Sequence, residues 1–87
     1  MMTGFYCYIV ECDDGTLYTG WTTDPERRLR EHNAGKGARY TRSRRPVRLV
    51  YWEQYSDRSG AMRREAVVKK LTRFEKQTLI QKFSDIP

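Results

Sequence analysis

Apolar residues run almost unbroken from Phe5 to Cys12, with Glu11 the one charged interruption. Such a run, rich in aromatic and β-branched side chains, predicts a strand covered on both faces. A second strand runs from Thr16 to about Thr22. Between them, Asp13-Asp14-Gly15 fits a three-residue hairpin loop completed by a left-handed glycine. That loop places Tyr18 opposite Val10 and Gly20 opposite Tyr8, so the two phenols share a face as diagonal neighbours. A two-residue loop would shift the pairing by one and separate them. Gly20 leaves open space beside Tyr8 that a bulkier residue would crowd.

The pattern then turns helical. Asp24 reads as an N-cap, Pro25 as a first-turn residue and Gly35 as a stop. The segment Lys36 to Pro46 has no apolar periodicity and reads as a basic loop, followed by a third strand from Val47 to about Tyr55. Asp57–Leu71 and Thr72–Phe83 predict two more helices, the second opened by a Thr72/Glu75 capping box. Leu71, Phe74, Leu79, Ile80 and Phe83 form the expected packing surface of this C-terminal part. The fold class is α+β: one domain over residues 1–87, a small, mainly antiparallel three-stranded sheet flanked by helices.

Composition narrows the function. Seventeen Lys and Arg against eleven Asp and Glu give a net charge of +6. Nine of the basic residues fall between Arg27 and Arg48, with Glu31 the one acid among them. That clustering favours a polyanionic partner over charge carried merely for solubility, and nucleic acid is the natural one. Arg27, Lys36, Arg39, Arg42, Arg44, Arg45 and Lys69 are the expected backbone contacts, with Tyr40 available to stack on a base. No apolar run is long enough for a membrane span and no signal peptide is recognisable, which predicts a soluble cytoplasmic protein. Cys7 and Cys12 have an odd separation in one strand segment, so they point to opposite faces and cannot bridge each other. The sequence "NAGKGARYT" lacks the spacing of a nucleotide-phosphate loop, which argues against a nucleotide cofactor.

Three further residues carry candidate chemistry. Arg28 and His32 are one helical turn apart and share a face. A lone histidine is most often a surface or partly buried hydrogen bonder. Glu65 falls in an arc with Ala61, Met62 and Val68, where a carboxylate needs a partner. Either Lys69, one turn on, or a metal cation meets that need.

Taken together, "YCY" at Tyr6–Tyr8, "YTG" at Tyr18–Gly20, Arg28, His32 and Glu65 resemble the GIY-YIG nuclease family, and most closely its small single-domain bacterial members. The resemblance runs from Tyr6 to about Ile80 and includes "GKGARYT", "RRE" and "KKLTR". The chain departs from the family pattern in places. Tyr6 replaces a glycine, Trp21 stands where some members have lysine, and His32 where others have tyrosine. For an asparagine that some members carry after the glutamate, Gln77 is a loose candidate.

The resemblance implies metal-dependent hydrolysis of nucleic-acid phosphodiesters, DNA rather than RNA, with structure or single strands recognised. Glu65 would hold one Mg²⁺ or Mn²⁺, and Arg28 would bind the scissile phosphate. Tyr8 or Tyr18 would orient water or take its proton, with His32 assisting. Gly20 would be structural at the site. The competing expectation is a nucleic-acid-binding module that has kept the fold and lost catalysis.

Overall fold

In a computed structural model, which describes residues 4–84, strands β1 (Phe5–Glu11), β2 (Leu17–Thr22) and β3 (Arg48–Tyr55) form one antiparallel sheet in the order β2-β1-β3. The hairpin loop has the expected form. Gly15 is left-handed at φ +84°, its N–H bonds to the Cys12 carbonyl at 2.9 Å, and the Cys12 N–H reaches the Thr16 carbonyl at 2.8 Å. The Asp14 carboxylate accepts from the Thr16 N–H and hydroxyl at 3.0 and 2.6 Å. The resulting register pairs Tyr8 with Gly20 and Val10 with Tyr18, as the loop length requires. Among the described residues, four helices accompany the sheet: α1 (Pro25–Asn33), α2 (Arg39–Arg42), α3 (Arg58–Lys69) and α4 (Arg73–Ser84).

β1 is the central strand, and its alternation divides the core. Cys7 and Ile9 point to one face, where Val68 of α3 and Leu79, Ile80 and Phe83 of α4 cover them. Tyr8, Val10 and Cys12 point to the other, packed with Val47, Leu49, Tyr18 and Leu29 of α1. Both cysteines are buried free thiols on separate faces, as their spacing requires. Burial pushes the Cys7 thiol up to about 12, so it behaves as a small apolar side chain.

Local capping follows the sequence. Asp24 accepts the Arg27 N–H at 3.1 Å, Asp57 accepts the Gly60 N–H at 2.7 Å, and Thr72 and Glu75 cap each other reciprocally at 3.1 and 2.9 Å.

Three expectations need correction. The basic segment is not all loop: residues 39–42 form a single helical turn, α2, because Thr41 anchors it from below by burying its side chain. Phe74 is 76% exposed, since α4 turns Leu79, Ile80 and Phe83 inward and leaves its first turn outside. Met62 is 45% exposed, so the apolar contact of α3 narrows to Ala61 and Val68.

Two tertiary links fix the helices against β3. The Asn33 side chain donates to the Val47 carbonyl at 2.9 Å and accepts the Val47 N–H at 2.7 Å, pairing the end of α1 with the start of β3. On the other face, the Glu53 carboxylate accepts from Tyr51, Tyr55 (2.5 Å) and the Arg64 Nε (3.1 and 3.2 Å). This network fixes the rotation of α3 at Arg64, the neighbour of Glu65.

Burial alone would raise the Glu53 carboxyl, yet the donors from Tyr51, Tyr55 and Arg64 outweigh it and hold the group below its ordinary range. A depressed carboxyl stabilises the fold above its unfolded pKa and loses that contribution as pH falls through the folded value. Glu53→Gln should therefore lower the melting temperature at pH 7, by about 1–3 kcal/mol of stability, and flatten the loss of stability below about pH 4.5. Thermal melts of both proteins across pH 3–7 check this; parallel curves would count against it.

Candidate active site

Tyr8, Tyr18 and Arg28 gather around a histidine from which solvent is fully excluded. Pro25, Leu29 and His32 make the stripe of α1 that faces the sheet, and His32 is 0% exposed. Both of its ring nitrogens are hydrogen-bonded, Nε2 to the Tyr8 hydroxyl at 2.7 Å and Nδ1 to Thr41 Oγ1 at 2.8 Å. The proton positions follow by elimination. Thr41 Oγ1 has one hydrogen and lies 2.9 Å from the Ala38 carbonyl, which can only accept. Thr41 must therefore accept from His32, so Nδ1 carries the imidazole proton. Nε2 is then bare and accepts the Tyr8 O–H.

The electrostatics agree. Burial, followed by the positive charge of Arg28, pulls the His32 imidazole down to about 4, so the ring is neutral at physiological pH. Burial pushes the Tyr8 phenol up to about 12, while the Arg28 guanidinium beside it favours ionisation. Glu65 also acts on this hydroxyl, with opposite sign. The Arg28 guanidinium is the near charge, and Glu65, on α3 across the sheet, acts as a weaker field.

Two glycines make the packing possible. A Cβ on Gly20 would stand 2.6 Å from the Tyr8 hydroxyl, so the space expected beside this glycine is filled by the Tyr8 ring itself. A Cβ on Gly37 would fall 2.3 Å from His32 Nδ1. The loop can close over the imidazole only because residue 37 has no side chain.

Tyr18 meets His32 edge-on, with centroids 5.6 Å apart, and stacks against Tyr40 at 5.9 Å. Arg44 lies 4.0 Å over the Tyr40 ring, donates to the Tyr40 carbonyl at 2.8 Å and pairs with Asp14 at 3.1 Å. Arg45 is held by the carbonyls of Arg42 and Asn33 at 2.8 and 3.3 Å. Arg44 and Arg45 therefore brace the basic segment, whereas Lys36, Arg39 and Arg42 are exposed. Arg28 donates to Glu31 at 2.9 Å, and Arg27 lies 3.6 Å from the same carboxylate. Glu65, with its side chain 20% exposed, is 3.6 Å from Lys69 Nζ. Beside Arg28, an open groove of about 220 Å³ runs past Trp21, Thr22 and Glu31.

The sequence reading did not single out Thr41, Glu31 or Gly37 for the site. Glu31 was findable, since it stands three and four positions after Arg28 and Arg27. Thr41 and Gly37 had no local signal, because their roles exist only once His32 is buried.

The chain is similar to known proteins over most of its length. A family model described as the GIY-YIG catalytic domain matches residues 4–78. UPF0213 protein HQ_3675A of Haloquadratum walsbyi is 58% identical over 81 residues, covering 93% of this chain and 91% of that protein. A UPF0213 protein of Syntrophus aciditrophicus is 57% identical, with 92% and 93% covered. The solution NMR structure of UPF0213 protein BH0048 from Bacillus halodurans shares 49% identity at a TM-score of 0.57, over 88% of this chain and 82% of that one. That of EF2693 from E. faecalis shares 45% at a TM-score of 0.65, over 100% and 95%.

Two outcomes are expected. The His32 ring should titrate near pH 4 and show the Nδ1–H tautomer in ¹⁵N NMR; a midpoint near 6.5 would contradict its burial. A histidine depressed in the fold costs stability as pH falls from about 6.5, where the unfolded ring gains its proton, toward the folded value. Gly20→Ala should push the Tyr8 phenol off His32 while the sheet survives. Its mark would be a His32 titration shifted upward with far-UV circular dichroism unchanged.

Proposed function

The chain belongs to the GIY-YIG family, and from that premise we propose that it is a metal-dependent endonuclease acting on phosphodiesters in DNA, with unpaired or branched strands preferred over duplex. The observation that carries the proposal is the 2.7 Å contact between Tyr8 and a neutral, tautomer-fixed His32, with Arg28 alongside. A buried phenol hydrogen-bonded to a bare imidazole nitrogen has a path along which a proton can pass.

Tyr8 would receive the attacking water as a hydrogen-bond donor to its oxygen. As the water oxygen bonds to phosphorus, its proton passes to Tyr8, the Tyr8 proton passes to His32 Nε2, and the phosphorus–oxygen bond to the leaving group breaks. The leaving oxygen takes its proton from solvent. Arg28 would exchange Glu31 for the scissile phosphate and stabilise its added negative charge. Tyr18, edge-on to the same ring, would hold His32 in place.

Among the described residues no three His, Cys, Asp or Glu side chains cluster. Glu65 is a single, partly exposed carboxylate. A lone carboxylate suits a hard cation that keeps most of its water shell and shares the substrate phosphate. Glu65 would hold Mg²⁺ or Mn²⁺ in that way, leaving Lys69, and the cation when bound would supply charge stabilisation for phosphate and leaving oxygen. Exposed Lys36, Arg39 and Arg42 would track the nucleic-acid backbone.

A binding module without cleavage is the second reading. The pairings Arg28–Glu31 and Glu65–Lys69 favour it, since each key charge is already balanced within the protein. Cleavage assays with Mg²⁺ and Mn²⁺ on matched single-stranded, duplex and branched oligonucleotides separate the two readings. Arg28→Ala, Glu65→Gln and Tyr8→Phe should each lower kcat by about 100-fold or more with the fold retained. Salt-sensitive binding with no cleavage under any divalent ion would favour the binding module, and equal cleavage of all three substrates would remove the proposed preference.

A further inference from the structure

We propose that Trp21 is a stacking platform for one unpaired nucleobase, set beside the arginine that takes the phosphate; the proposal rests on the nucleic-acid reading above. β2 is an edge strand, so the groove along it opens to solvent on the side away from β1. Trp21 lies on this strand, and the groove it borders, about 220 Å³, has Arg28 among its other lining residues. A tryptophan and a guanidinium bordering one open groove match the two parts of a single nucleotide, its base and its phosphate.

Tyr40 and Trp52 are already engaged. Tyr40 has Arg44 4.0 Å over its ring and Tyr18 stacked against it. Trp52 packs on Phe83, with centroids 4.6 Å apart, on β3 at the other edge of the sheet. Trp21 has instead the Arg58 guanidinium 5.7 Å from its ring centroid, close to the outer limit of about 6 Å for a cation–π contact. Arg58 is exposed, and it is placed to yield that face to a base and then cover the base from outside. A base within a duplex already has neighbours on both faces. Only an unpaired base can present one to the indole, so the same contact selects against duplex.

The test uses the full chain in Mg²⁺-free, EDTA-containing buffer, with Trp52→Phe making Trp21 the sole indole. Short single-stranded oligodeoxynucleotides should quench Trp21 emission saturably, and the matching duplex should not. In anisotropy titrations, Trp21→Ala should weaken single-strand binding about tenfold while Trp21→Phe keeps most of the affinity. Emission unchanged at saturating oligonucleotide, or unchanged affinity in Trp21→Ala, overturns the proposal. If Trp21→Ala does not fold, the quenching in the Trp52→Phe protein decides alone. Quenching without cleavage by the wild type would leave the stacking site standing and remove the nuclease reading; cleavage without quenching would do the reverse.

Discussion

A neutral imidazole sealed under a sheet is the constraint around which this protein is built. His32 has no access to water, so both ring nitrogens must find protein partners or cost a few kcal/mol each. One partner is Tyr8 on the central strand, and the other is Thr41, presented by a helical turn. Thr41 in turn needs the Ala38 carbonyl, and the chain between His32 and Thr41 can close that circuit only through Gly37. The otherwise irregular basic segment is thus ordered from beneath, by one buried polar chain. Its charged side chains are left on the outside.

The same chain of bonds links core packing to chemistry. β1 delivers Cys7 and Ile9 to one layer and Tyr8 and Val10 to the other, so the strand that forms the core also carries the phenol. Arg28 comes from the layer of α1 and stands beside the Tyr8 hydroxyl, whereas Glu65 comes from the layer of α3 and pairs with Lys69. The hydrophobic sheet supplies the rigidity with which these side chains are held.

The excess of positive charge is organised rather than bare. Arg28 is held by Glu31, Lys69 by Glu65 and Arg44 by Asp14, all in partly exposed pairs. Pairs of that kind are worth no more than about 1 kcal/mol, so a phosphate or a cation can replace either partner at little cost. The pairs keep these side chains in place in the free protein without locking them there.

What the sequence by itself determined is local or periodic. Asp13-Asp14-Gly15 sets the hairpin register, and with it the facing of Tyr8, Tyr18 and Gly20, because a loop of that length admits one pairing. Asp24, Asp57 and the Thr72/Glu75 pair set three helix starts, because capping acts within four residues. Tertiary structure alone decided that His32 is sealed, that Thr41 fixes its proton, that Gly37 lets the loop close, and that Phe74 and Met62 stay outside. Those facts depend on which surfaces meet across the sheet. Tyr8 and His32 are 24 positions apart, and no periodicity along the chain encodes the free energy of a contact that exists only after folding has removed the water between them.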